Sequence, residues 1–136
     1  MEDSHTAAER GVERERRASV RARTALQALG FREQMEQFGS SLGGLEPHDR
    51  RPVFELARWI ASNWIGKHGP SHRTLVVEVT PSETNLLVLV FSEPELDDEE
   101  FWGDLVEGAP AQLISSWAHD RRGSSGVSFE LVRPQP

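Results

Sequence analysis

The sequence predicts a two-layer α+β domain, with helices segregated on one face of a mixed or antiparallel sheet. Three observations carry this. Val53, Leu56 and Ile60 recur at helical spacing, continued by either Asn63 or Trp64. Leu75, Val77 and Val79 alternate with Val76, Glu78 and Thr80, the pattern of a half-buried strand. Residues 86–91, LLVLVF, are apolar on both alternating faces, which fits a strand in the middle of a covered sheet. The 136 residues suit one domain, and 37% hydrophobic residues with 11 glycines suffice for one core.

Taken in order, residues 6–29 read as a charged helix. Ala18, Ala22, Ala25 and Leu29 form a narrow stripe of small residues, and Glu13 precedes Arg17 by one helical turn. The stripe buries little area, so residues 1–30 are expected to form a helical arm, and residues 31–136 the domain. Gly30 is read as the C-terminal stop of the arm. A second short helix places Phe31, Met35 and Phe38 on one face and ends in the glycine-rich SSLGG at 40–44.

The next helix has Asp49 as its expected N-cap and Pro52 in its first turn, where a missing N–H costs little. Gly66 and the Gly69, Pro70 pair end it. Two strands follow, joined by a hairpin loop over PSETN at 81–85. Six carboxylates lie between Glu93 and Glu100, and are read as the solvated start of a helix, where acids complement the dipole. Gly103 and Gly108 punctuate what comes next. Pro110 then opens a short helix carrying Leu113, Ile114 and Trp117. The turn at 120–126 leads to a last strand with Val127, Phe129 and Leu131 on one face.

Composition narrows the function classes. There is no cysteine, which excludes disulfides, thiolate metal sites and cysteine nucleophiles. The net charge of −7 argues against general nucleic-acid binding. The longest apolar run is far short of a membrane span. The first ten residues, MEDSHTAAER, are too polar for a secretory signal, so a cytoplasmic protein with no membrane partner is expected. All basic residues except Lys67 are arginine, a bias compatible with a GC-rich bacterial genome.

The segments VFELARWIASNWIGKHG, TLVVEV, NLLVLVF and AQLISSWAHDRRGSSGVSFEL carry a resemblance. In element order and in the last strand, residues 45–132 resemble the ATP-binding domain of the GHKL superfamily, which includes gyrase, histidine kinases and a heat-shock chaperone. The bacterial anti-sigma-factor serine kinases are the nearest subgroup. The resemblance implies a Bergerat-like fold and a nucleotide cleft. It also implies a partner that is another regulatory protein: a sigma factor, an anti-sigma antagonist, or a signalling phosphatase or kinase. A homodimer is a further possibility.

The chemical motifs that this resemblance requires are degraded. A family kinase needs a glutamate on the long helix, followed four residues later by a magnesium-holding asparagine. With Asn63 as that asparagine, the glutamate position is Trp59. With the turn at Lys67, His68 and Gly69 aligned instead, the two positions are Ile60 and Trp64. Both registers lack the carboxylate. The adenine-reading aspartate falls at Ser92 and Glu93 without its glycines, and Gly103 is all that remains of the second glycine box. By resemblance alone, Asn63 and Glu93 are the candidate cofactor-binding residues. No catalytic or metal-ligating residue is assigned. ATP with magnesium is disfavoured, and no cofactor is expected.

The expected function is therefore that of a non-catalytic, protein-binding regulator. The alternatives are an active ATP-dependent serine kinase with divergent boxes, and an unrelated small α+β interaction protein such as a dimeric chaperone. Other clusters have simpler explanations. His48, Asp49, Arg50, Arg51 and Pro52 resemble a phosphoacceptor box one residue short, and suit a helix start. His68 and His72 are separated by helix-breaking Gly69 and Pro70, which removes the alignment a zinc pair needs. Ser124 and Ser125 with His119 and Asp120 suit a polar hairpin. Trp59 and Trp64 project about 140° apart on a helix, so they cannot both face the sheet. One of them is expected to plug the vacated cleft.

Overall fold

The computed structural model describes residues 19–94, 98–109 and 126–134. Its element order is β1 (Val20–Ala25), α1 (Phe31–Ser41), a 3-10 turn (Leu42–Gly44), α2 (Pro47–His68), β2 (Thr74–Pro81), β3 (Asn85–Glu93), α3 (Glu99–Gly108) and β4 (Gly126–Val132). The four strands form one sheet in the order β1-β2-β3-β4, with every neighbouring pair antiparallel. The helices pack on one face, giving the expected two-layer α+β sandwich.

Register explains the core. Ala22, Val77, Val90 and Val127 line up across the four strands, as do Val79, Val88 and Phe129 across β2, β3 and β4. All of these side chains are buried and belong to one cluster with Leu56, Ile60 and Trp64 of α2 and Trp102 and Leu105 of α3. A Cβ at Gly126 would strike the Val90 carbonyl oxygen and lie 2.8 Å from the Phe91 Cβ, so the close approach of β4 to β3 requires glycine there.

The N-terminal reading is corrected. Residues 20–25 are an edge strand of the sheet and not part of a helical arm, so the sheet includes chain that lies before residue 31. Val20, Ala22 and Thr24 face inward beside Val79, Val77 and Leu75, while Arg21 and Arg23 face outward. Alanine fits both a helical stripe and a strand interior, and pairing with β2 decides between them. Leu29, the end of the expected stripe, is 91% exposed. The remainder of the expected arm, residues 1–18, lies outside the described residues, as does the helix expected after Pro110.

Gly30 starts a helix instead of ending one. It precedes α1 with φ 76°, a left-handed conformation that suits glycine, and its carbonyl accepts from Gln34 N at 3.0 Å. Met35 and Phe38 are buried as expected. α2 begins at Pro47, two residues earlier than its expected cap, because proline is pre-organised for the first helical position. Asp49 lies within that first turn, fully buried, where both carboxylate oxygens receive Arg133 Nε at 3.2 and 3.1 Å. Arg133 also donates from Nη1 to the Ser82 carbonyl at 2.8 Å. The start of α2, the β2–β3 loop and the end of β4 are thereby joined.

The sheet is not covered evenly on its two faces. Leu86, Val88 and Val90 are buried beneath the helices, whereas Leu87, on the opposite face, is 40% exposed. The apolar run of β3 therefore does not mark a strand enclosed on both sides along its length. On that outer face, Glu93 receives Arg21 Nη2 at 2.8 Å, and Arg23 Nη1 lies 3.4 Å from it.

Candidate functional site

The long helix α2 decides the site. Its inward positions are Val53, Leu56, Ile60 and Trp64, each at most 1% exposed, at the spacing a single helical face demands. Trp64 is the buried tryptophan of the pair, and Trp59 is half-buried at the edge. Of the two registers read from the sequence, the inward-facing pair is thus Ile60 and Trp64. Trp64 meets Phe101 edge-on at 5.1 Å between ring centroids, Trp102 at 5.9 Å and His68 at 4.9 Å. Such tilted contacts satisfy the ring quadrupoles while filling the space between α2 and α3.

One carboxylate ties these two helices together. Asp98 caps α3 by accepting from Phe101 N at 3.0 Å, and its other oxygen lies 3.1 Å from His68 Nε2 and 3.8 Å from Lys67 Nζ. An acid at the start of α3 facing bases in the last turn of α2 complements both helix dipoles. The acidic run thus contains a helix start, as expected, and Asp98 caps it. The body of α3 runs through the glycine-punctuated stretch that follows, where Gly103 and Gly108 mask the spacing of Phe101, Leu105 and Val106.

The two residues carried over by resemblance do not converge. Asn63 is exposed on the outer side of α2, and its Nδ2 donates to the Trp59 carbonyl at 2.8 Å. Glu93 belongs to the sheet face turned away from the helices, engaged with Arg21 and Arg23. One sits in the helical layer and the other beyond the sheet. The His48–Pro52 stretch is wholly helical, with His48 Nε2 3.5 Å from the buried Asp49. The polar cluster at residues 119–125 and Trp117 lie outside the described residues.

Several clefts border α2. Trp59, Asn63, Lys67, Phe101, Asp104, Leu105 and Gly108 line a groove of about 300 Å³ against α3. Phe31, Met35 and Phe54 floor a second, of about 390 Å³, between α1 and α2, rimmed by Arg32, Glu36 and Arg58. Neither arginine of that rim pairs with a carboxylate among the described residues. The third, of about 450 Å³, lies beyond the C-terminal end of α2. Among the described residues, no group of three histidines or acids is placed to hold a metal ion, and no helix is long and apolar enough to cross a membrane.

No protein-family model matches the chain, and no curated protein is significantly similar to it. The site is therefore read from its own geometry. The sequence missed the Asp49–Arg133 pair, whose members lie 84 positions apart, and Asp98 as the junction of α2 with α3. No local motif signals a long-range ion pair. The spacing of Asp98 three residues before Phe101 was a legible cap signal, obscured by the surrounding acids.

Proposed function

We propose that this protein is a regulatory module that acts by binding another protein and not by transferring phosphate. One observation carries the reading. The inward positions of α2, where an active relative of the resembled ATPases would present a glutamate and an asparagine, are Ile60 and Trp64, and both are packed into the core. An isoleucine cannot polarise an attacking hydroxyl, and a tryptophan has no oxygen to hold magnesium. The burial of Ile60 and Trp64 supports a reading without nucleotide, because packed interiors leave no void at these positions.

The groove between α1 and α2 is the surface best suited to docking. Its floor is apolar, and its rim holds two arginines against one glutamate. Apolar anchors with a basic rim suit an amphipathic segment bearing acidic residues, because unpaired rim charge favours an opposite partner and speeds encounter. In the resembled family such a partner is a sigma factor or its antagonist, and a cytoplasmic bacterial setting goes with that reading.

Calorimetric titration against sigma factors and their antagonist proteins tests it. The expected result is binding to one of them that is indifferent to ATP and magnesium. Arg58→Glu should weaken that binding about tenfold or more by reversing a rim charge. Phosphate transfer to any of these proteins would overturn the proposal and favour an active kinase.

A further inference from the structure

The sheet face turned away from the helices is apolar along its middle. Register and alternation place Leu87, Leu89 and Phe91 of β3 on this face, with Val76 of β2 beside Phe91 and Val132 of β4 beside Asn85. Val76 is fully buried, yet it stands outside the core cluster beneath the helices. Leu87 and Val132 are 40% and 52% exposed, and with Leu29 they are the most exposed large apolar residues among the described ones. The described helices all pack on the opposite face. A soluble chain rarely leaves such a ridge bare unless something docks on it.

The charged groups of this face stand at its margins. On the β1 side, Arg21 Nη2 is 2.8 Å from Glu93 Oε1, Arg21 Nε is 3.5 Å from Glu78 Oε1, and Arg23 Nη1 is 3.4 Å from Glu93 Oε2. The Arg21 guanidinium also lies 5.7 Å from the centroid of the Phe91 ring. Opposite charges thus hold one another there, and Leu87, Leu89 and Phe91 carry no charge between them. On the β4 side, Glu130 is the partner of Leu87 and Ser128 the partner of Leu89.

Symmetry and charge select the occupant. A two-fold axis along β3 lays the ridge on its own copy, with β2 of each chain over β4 of the other. From the register, Val76 then meets Gly126, Glu78 meets Ser128 and Thr80 meets Glu130. The first pair is apolar, and the other two set a hydroxyl donor against a carboxylate. β1 falls beyond β4 of the other copy, which keeps the arginines of the two chains apart. An axis across the strands would instead stack Arg21 and Arg23 on their own copies, where like charges repel. Three strands of this length present roughly 350 Å² per copy. That is well below the ~800 Å² per partner of a standard interface, so the pairing is weak and reversible.

We infer that the outer face of the sheet is a self-association surface, on which two copies of this chain stack β3 on β3 about a two-fold axis along the strand.

Sedimentation equilibrium of the full chain tests this. The mass should rise from that of one chain toward that of two between about 10 μM and 1 mM, as suits a small interface. Over the same dilution series, the methyl resonances of Leu87 and Leu89 should shift, and those of Met35 and Leu56 in the helical layer should not. Leu87→Lys should raise Kd about tenfold or more, because it sets two ammonium groups against each other at the axis. Leu87→Glu should do the same, and a mixture of the two variants should restore pairing, since the axis places residue 87 on residue 87. Leu29→Lys, at a 91% exposed position off this face, should leave Kd unchanged. If the residue 87 variants do not fold, the dilution shifts of the native chain decide the assignment. Association that Leu87→Lys leaves unchanged, or shifts confined to the helical layer, overturns the inference. Failure of the mixed variants to pair overturns the axis. A single-chain mass throughout also overturns it. If Leu87→Lys then lowers the thermal midpoint, the occupant is this chain's own stretch 110–125, which carries Leu113, Ile114 and Trp117. None of these results bears on the docking groove, where Arg58 is the residue tested.

Discussion

Trp59 and Trp64 lie on one helix and meet different surroundings, and that contrast makes the packing of α2 measurable. Trp64 is enclosed by Phe101, Trp102 and His68, while Trp59 lies half-buried on the groove toward α3. Trp64→Ala should destabilise the fold by about 3–5 kcal/mol, the range for removing a buried large aromatic. Trp59→Ala should cost no more than about 1.5 kcal/mol, because the ring lies at the edge of the core and its loss leaves no enclosed cavity. Denaturant unfolding of the two variants checks the order, and equal losses would mean that α2 is turned differently. The sequence showed that both rings could not face the sheet, since five positions on a helix separate them by about 140°. It did not show which one faced in. That choice depends on Phe101 and Trp102, which lie more than thirty positions away along the chain.

At the scale of elements, β1 is where local pattern and tertiary structure disagree. Ala18, Ala22 and Ala25 suit a helix, but Arg21 and Arg23 alternate with inward Ala22 and Thr24, and β2 supplies a partner edge. The hairpin of β2 and β3 was legible because its inward residues are uniformly branched or large, and the same holds for β4. An alanine-rich edge strand has no such signature. Its role gives a direct test. Deleting residues 1–26 removes β1 and uncovers Val77 and Val79, so the thermal midpoint should fall by about 10 °C or more, or cooperative unfolding should be lost. An unchanged midpoint would restore the reading of this segment as an arm. Glu93 also belongs to this scale. Its pairs with Arg21 and Arg23 are partly exposed, and join β3 to β1 across the outer face. Such pairs contribute about 0–1 kcal/mol each, so Glu93 adds little to the hold on β1.

For the whole molecule, two layers with one core leave α2 as the element on which stability and function meet. Its first turn is anchored by Asp49 to Arg133, its middle forms the core, and its last turn is joined by Asp98 to α3. The fold class was readable from periodicity alone, as far as its two layers and the helix-bearing face. The candidate site was only half readable. That the positions which the resemblance assigns to carboxylates hold none was visible in the chain, whereas the burial of Trp64 required the packed structure. Asn63 and Glu93 fall on different layers, so nothing gathers them around a nucleotide. The most direct measurement is calorimetric titration of the full chain with ATP and magnesium. The packed interior around Ile60 and Trp64 predicts no saturable heat at millimolar nucleotide. Binding with micromolar affinity would contradict it, because a nucleotide cannot occupy a space already filled by those side chains.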